Sequence, residues 1–265
     1  SINLSNNTVM NWYNLPTYYD VSFSHEMREE LLFLQNIFRT YSKSNRPRLI
    51  EPACGTGRLI IPLTRGGFDC TGFDLNVNAL SYLKDKLNRN RLKAAIFNAD
   101  MASFDVRSKH FDAAYCTVDT FRHLLTEQQA AQHLLQVAKS LRKNGVYVLG
   151  LHLIPEQGTS DKITRWTAKR GRLTVKTTME MLTLNKNDRT ETLRVVLNPK
   201  TKYRNEKHES IYKLRTYTLK QFRQLISMTG VFDVDSIYDH FYDLSKPITL
   251  NERSDYGVFV LRKTN

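Results

Sequence analysis

The stretch that most constrains this chain is Leu49-Ile50-Glu51-Pro52-Ala53-Cys54-Gly55-Thr56-Gly57-Arg58-Leu59. An apolar run ends on an acidic residue, breaks into small residues, and resumes with Ile60, Ile61 and Leu63. This order predicts a strand, a tight glycine loop and a helix from about Gly57 to Arg65. Gly55 and Gly57 tolerate positive φ and bring no Cβ toward a ligand. A helix placed there would aim its unpaired amides and positive dipole end back at the loop. Such a loop suits the ribose, carboxylate or phosphate of a nucleotide-like cofactor. A single Gly-x-Gly turn is too common to say which.

The 265 residues are enough for one core, or one core plus a subdomain. No run approaches ~18 consecutive apolar residues, so no membrane span is expected. The first residues lack a basic-then-apolar leader. Cys54, Cys70 and Cys116 have no metal spacing and are expected to be small buried side chains. Both observations predict a reducing, cytoplasmic setting, with no metal site.

Around the glycine loop the chain alternates short strands with amphipathic helices. Strands are expected at Arg48–Glu51, Cys70–Asp74, Ala94–Asn98, Ala113–Cys116 and Val146–Leu153, the last after a Lys143-Asn144-Gly145 turn. Helices are expected at about Val77–Asn88 and Glu127–Leu141. This repetition implies an α/β fold with a parallel sheet covered on both faces, whose ligands lie beyond the carboxyl ends of its strands. Before it, residues 1–45 carry the aromatic cluster Trp12, Tyr13, Tyr18, Tyr19 and Phe23, then a helix from about Ser24. They form an N-terminal segment whose Tyr18-Tyr19-Asp20 either packs on the body or folds over the ligand.

Residues 154–216 alternate apolar and polar positions at Leu173, Val175, Thr177, Met179 and Met181, with further strands at Arg194–Leu197 and Ile211–Thr216. They read as an antiparallel β insert capping a core made of residues 46–153 and 217–265. The insert holds fifteen Lys/Arg against seven Asp/Glu, net +8 of the chain's +13. The charge suits an acidic partner or serves solubility. After Thr218, a helix at Leu219–Met228 ends at Gly230, followed by strands Phe232–Tyr238 and Tyr256–Leu261.

Asp74 ends the second strand 19 residues after Gly55, where an acidic side chain accepts both hydroxyls of an adenosine ribose. Asp100 follows the third strand and suits an adenine amine, with Met101 against the ring face. A dinucleotide-binding loop would carry a third glycine where this chain has Ile60. A cofactor without a pyrophosphate does not need it.

Taken together, Glu51 to Arg58, Gly72-Phe73-Asp74-Leu75-Asn76, Asp100-Met101 and Phe111-Asp112-Ala113-Ala114-Tyr115-Cys116 resemble the class I S-adenosylmethionine-dependent methyltransferases. The likeness extends to the small-molecule branch through Tyr18-Tyr19-Asp20, Thr120-Phe121-Arg122-His123-Leu124 and the β insert. It implies a Rossmann-like sheet of seven strands in the order 3-2-1-4-5-7-6 with strand 7 reversed. It also implies S-adenosyl-L-methionine as cofactor, held by Tyr19, Glu51, Ala53, Gly55, Gly57, Arg58, Asp74, Leu75, Asp100, Met101, Cys116 and Thr117.

Transfer of a methyl group from a sulfonium is an in-line displacement in which alignment and exclusion of water dominate. Tyr19 is the expected aromatic partner of the cation, and His123 the expected base, or else a histidine that holds its loop. His152 is the second histidine at this sheet edge. Asp119 stands where the family carries Asn, which favours a cationic group on the acceptor. The expected acceptor is a small-molecule N or O nucleophile, with the basic insert suggesting an anionic or planar one. Trp166 is placed to stack on it or to pin the insert, with Arg165, Arg194 and Arg215 nearby. RNA held by the insert is the alternative, and a non-catalytic cofactor-binding protein a third reading. A homodimer is left open.

Overall fold

Among the described residues eleven strands follow one another: β1 (Arg48–Pro52), β2 (Asp69–Asp74), β3 (Ala95–Asn98), β4 (Phe111–Cys116), β5 (Leu141–His152), β6 (Ile163–Arg170), β7 (Leu173–Asn185), β8 (Thr190–Lys200), β9 (His208–Arg215), β10 (Phe232–Tyr238) and β11 (Tyr256–Lys263). The structure, a computed structural model, describes residues 11–23, 27–106, 110–156 and 163–264. Seven strands form one sheet in the order β10-β11-β5-β4-β1-β2-β3, with β11 antiparallel to β5. This is the expected 3-2-1-4-5-7-6 arrangement. The remaining four strands form the separate antiparallel sheet β6-β7-β8-β9.

Strand alternation sorts the core into two layers. Leu49, Ala113, Tyr115, Val146, Val148, Val258 and Val260 face one side. There they meet α2 (Arg28–Tyr41), α3 (Ile60–Arg65) and α4 (Val77–Arg89). Their neighbours Ile50, Ala114, Cys116, Tyr147, Leu149, Phe259 and Leu261 face the other side, against α5 (Glu127–Ser140) and α6 (Leu219–Thr229). Local signals explain the boundaries. Asn76, Thr126 and Thr218 cap α4, α5 and α6, and Gly230 ends α6 in the left-handed conformation.

Several local expectations change. The aromatic cluster is itself folded, into a 3-10 turn (Trp12–Asn14) and α1 (Pro16–Phe23), with Pro16 at the first helical position. The expected cap Ser24 lies outside the described residues, and α2 starts at Arg28. Helix α3 starts at Ile60, not Gly57, because Gly57 sits at φ +79. The glycine loop therefore offers its own main chain, not a helix end. The Lys143-Asn144-Gly145 turn does not precede β5 but interrupts it: Leu141 already pairs with Phe111, and the register shifts before Val146 pairs with Ala113. Strand β6 had no counterpart in the sequence reading.

The N-terminal segment is held against both the core and the insert. Trp12 and Val21 pack with Ala168, Val175, Val195 and Leu197 of the second sheet. Asp20 is buried and accepts from Tyr82 Oη at 3.0 Å, Lys86 Nζ at 2.8 Å and Arg170 Nη1 at 2.6 Å. The same Lys86 ammonium donates to the carbonyl of Thr56, 3.1 Å away, so this cluster also braces the glycine loop.

Candidate active site

The glycine loop leaves β1 with Ala53, Gly55 and Gly57 all at positive φ. Cys54 N donates to Phe73 O at 2.9 Å, which ties the loop to the end of β2. At Gly57 a Cβ would fall 2.3 Å from Leu83 Cδ1, so that glycine is demanded by packing as well as by φ. At Gly55 a Cβ would meet only Asp74 Oδ2, at 4.0 Å, and the space beyond opens into a cavity.

That cavity, about 460 Å³, lies over the carboxyl ends of β1 to β4. Ala53, Gly55, Asp74, Leu75, Asp100 and Met101 line it, as do Tyr13, Asn76, Ala99, Thr120 and His123. The Asp74 carboxylate accepts Gly55 N at 2.8 Å on one oxygen and Asn76 N at 2.7 Å on the other, and keeps acceptor capacity for a ligand. Burial raises its pKa, while those amides and that of Leu75 pull it back down. Asp100 Oδ1 accepts Ala102 N at 2.8 Å, fixing the turn that carries Met101. His133 Nδ1 donates to Met101 O at 2.7 Å, anchoring the same turn to α5. Small residues at the loop, a carboxylate at the β2 end and apolar Leu75 and Met101 fit a ribose and a flat base.

The other expected cofactor residues stand behind this lining or beside it. Gly57 packs beneath the loop. Cys116 is buried in the core, its thiol pushed up to about 12 by burial. Glu51 is buried and accepts from Tyr115 Oη at 3.0 Å. Its pKa rises to about 8, chiefly through burial. Arg58 is clamped on Glu30 by two bonds, of 2.5 and 3.0 Å, and Thr117 Oγ1 donates to the same carboxylate at 2.5 Å. Tyr19 packs against Tyr13 with tilted rings 5.3 Å apart and lines neither cavity.

A second cavity, about 590 Å³, adjoins the first beneath the second sheet. Trp12, Phe23, Trp166, Tyr212, Tyr242 and Tyr256 give it aromatic walls; Glu30, Asp119 and Asp255 give it carboxylates. Arg58, His152 and His240 line it as well. Tyr13, Thr120 and His123 line both cavities and form the partition between them. Tyr13 Oη lies 2.8 Å from His123 Nε2, and the His123 ring stacks on Tyr212 at 5.6 Å. Burial lowers the His123 pKa to about 4, with Asp119 opposing and Arg122 reinforcing the shift. The imidazole is therefore neutral at ordinary pH. Tyr13 and Thr120 were missed as site residues from sequence. Tyr13 was visible only as one ring of the aromatic cluster, and Thr120 only as part of the Thr-Phe-Arg-His segment.

The arginines of the insert are largely spoken for. Arg170 meets Asp20; Arg189 and Arg215 both meet Glu127 at 2.7 Å; Arg194 meets Glu180. Arg122, buried in the loop after β4, bonds Asp119 at 3.2 Å and reaches Glu191 on β8. Trp166 Nε1 donates to Ser22 O at 2.9 Å, pinning the insert to α1 while its ring lines the second cavity. Arg165 is exposed.

The chain resembles known methyltransferases in sequence and in fold. The methyltransferase-domain family matches residues 50–145. A putative methyltransferase of Geobacillus sp. strain WCH70 is 24% identical over 231 residues, covering 87% of this chain and 90% of the relative. The fold matches CalS10, an amino pentose methyltransferase from Micromonospora echinaspora solved with S-adenosylmethionine bound (TM-score 0.72, 17% identity, 98% and 100% of the two chains). It also matches the sugar N-methyltransferase KedS8 from Streptoalloteichus sp. (TM-score 0.71, 16% identity, 98% and 96%).

Proposed function

We propose that the chain is a class I S-adenosylmethionine-dependent methyltransferase that methylates the nitrogen of a small aminated acceptor seated in the second cavity. The observation that carries this reading is the shared partition. Tyr13, Thr120 and His123 touch both cavities, so a donor in one and an acceptor in the other meet only there. The bound donor supplies an electrophilic methyl group on a sulfonium.

The residues of the first cavity then divide the work of holding it. Asp74 takes the ribose hydroxyls, Asp100 the base amine, and Leu75 and Met101 the base faces, while Gly55 keeps the approach open. Glu51, Arg58 and Thr117 support the loop from behind. Tyr13, backed by Tyr19, presents an aromatic face toward the partition, where a cation is stabilised by ring quadrupoles. His123, neutral and hydrogen-bonded to Tyr13, orients the acceptor rather than taking its proton.

The acceptor's charge class follows from the walls. Asp255 and several aromatic faces favour an amine-bearing, cationic group over an anion, with Glu30 and Asp119 already paired to Arg58, Arg122 and His152, and the insert's arginines are mostly bound to acidic partners of the protein. That pairing also weakens the RNA reading. The amino pentose and sugar N-methyltransferases whose folds match lend the nitrogen acceptor further support. Release of S-adenosylhomocysteine across matched panels of amino sugars, small amines, hydroxy acids, phenols and RNA tests the proposal. Amines are expected to turn over. Turnover restricted to hydroxyl acceptors, or tight and steeply salt-dependent RNA binding, overturns it.

A further inference from the structure

The loop after β4 is held in a costly conformation. Val118 and Asp119 sit at φ +61 and +65, and a β-branched residue there is a genuine outlier. The loop is kept in place by β5. Asp119 N donates to Gly150 O at 3.2 Å, and a Cβ at Gly150 would crowd Tyr256 Oη at 3.0 Å and Val118 N at 3.4 Å.

What this conformation achieves is a two-point grip on one histidine. Asp119 Oδ1 accepts the main-chain N–H of His152 at 2.8 Å, and Asp119 Oδ2 lies 2.7 Å from His152 Nδ1. An ionised carboxylate only accepts, so the imidazole proton sits on Nδ1 and Nε2 keeps a lone pair. The side chain is 56% exposed and lines the acceptor cavity. Among the described residues Nε2 has no hydrogen-bond partner.

We propose that His152, oriented by Asp119, is the general base that removes a proton from the ammonium form of the acceptor before methyl transfer. The inference rests on the N-methylation reading above. The step balances. The ammonium N–H bond breaks and its proton goes to His152 Nε2. The freed nitrogen lone pair forms the N–C bond as the C–S electron pair leaves on sulfur. The proton on His152 then passes to solvent along the exposed edge of the ring. His123 is the weaker candidate, since its Nε2 is engaged by Tyr13 and burial holds it neutral down to about pH 4.

The groups facing His152 are Asp119 and Arg122 from the loop after β4, and Asp255 and Tyr256 from the start of β11. Burial opposes protonation of the ring, as does Arg122. The Asp119 hydrogen bond and charge outweigh both, with Asp255 adding to them, so the pKa is raised. The result is a stronger base than a free imidazole, available only above that raised pKa.

Two measurements test this. In the ¹⁵N-labelled protein alone, long-range ¹H–¹⁵N spectra should show His152 as the Nδ1–H tautomer, titrating above the ordinary ~6.5 and moving down in Asp119→Asn. An Nε2–H tautomer overturns the proposal. The second probe is a 3-amino-3-deoxyhexose, assayed with His152→Asn, whose amide can still donate to Asp119. Turnover at pH 7 should fall about 100-fold, and the deficit should close as pH rises through the sugar ammonium's own pKa, where solvent supplies the free amine. Donor affinity and thermal midpoint should match wild type. A deficit equal at every pH overturns the base role while leaving N-methylation standing. A wild-type enzyme that methylates no amine in the acceptor panel overturns the N-methylation reading and the base with it.

Discussion

The Tyr13 hydroxyl and the His123 Nε2 stand 2.8 Å apart, and together they form the partition common to the two cavities. Removing the hydroxyl in Tyr13→Phe leaves the aromatic face and frees the imidazole to rotate. Stability should drop by only about 0.5–1.5 kcal/mol, the worth of one hydrogen bond. Turnover should fall about tenfold with donor affinity within about twofold of wild type, if the pair orients the acceptor at a cost near ~1.4 kcal/mol. Calorimetric titration of the donor beside steady-state kinetics separates the two effects. Equal losses in both would place Tyr13 on the donor alone.

Asp74 organises the donor cavity through Gly55 N and Asn76 N as well as through any ligand. Asp74→Ala removes a charged acceptor, each such bond being worth about 1.5–3 kcal/mol. The donor Kd should rise at least tenfold, and calorimetry reads this directly. Unchanged affinity would show that this carboxylate does not meet the ribose.

Gly57 and Gly67 offer a matched contrast. Both have positive φ, but a Cβ at Gly57 strikes Leu83 at 2.3 Å while nothing lies within 4 Å at Gly67. Gly67→Ala should cost about 1 kcal/mol of backbone strain. Gly57→Ala adds overpacking of about 1–3 kcal/mol and distorts the loop. Urea midpoints measured side by side should rank Gly57→Ala clearly lower, with loss of donor binding. Equal midpoints would mean that α4 yields freely.

Glu51 carries the clearest pH signature of stability. Burial, countered by the Tyr115 hydrogen bond and the Arg58 charge, lifts its pKa to about 8. The unfolded value is about 4.3. A folded pKa above the unfolded one contributes stability that is full below about pH 4 and lost as pH rises to about 8. Glu51→Gln has no proton to lose, so its advantage over wild type should grow between pH 5 and 9. The limit is on the order of 4 kcal/mol, at ~1.4 kcal/mol per pK unit. Urea unfolding of both proteins at the two pH values measures it; a constant difference contradicts the assignment.

The local signals of the core were readable because they are local. Strand–helix alternation marks β1 to β5, and Thr218 and Gly230 mark the ends of α6 through hydrogen bonds within a few residues. Asp74 and Asp100 could be placed on one edge because a parallel sheet brings its strand ends together. Strand β6 escaped notice because its polar residues outnumber its apolar ones, and its burial of Ala168 depends on α1 arriving from elsewhere. Helix α1 was hidden because in eight residues its apolar and polar positions show no one-sided helical pattern, and its burial depends on contact with the insert.

The chain by itself determined the sheet, the donor loop and the residue types at its edge, since these follow from the periodicity of apolar residues, turn chemistry and strand-end placement. It could not choose among its aromatics and histidines. That choice was made by tertiary packing. The α1–insert contact puts Tyr13 rather than Tyr19 at the partition. The same packing sets His123 against Tyr13 and Tyr212, and the strained turn at Val118-Asp119 leaves His152 facing the second cavity. Distances between residues far apart in sequence decide which side chain meets a ligand, and no local pattern encodes them.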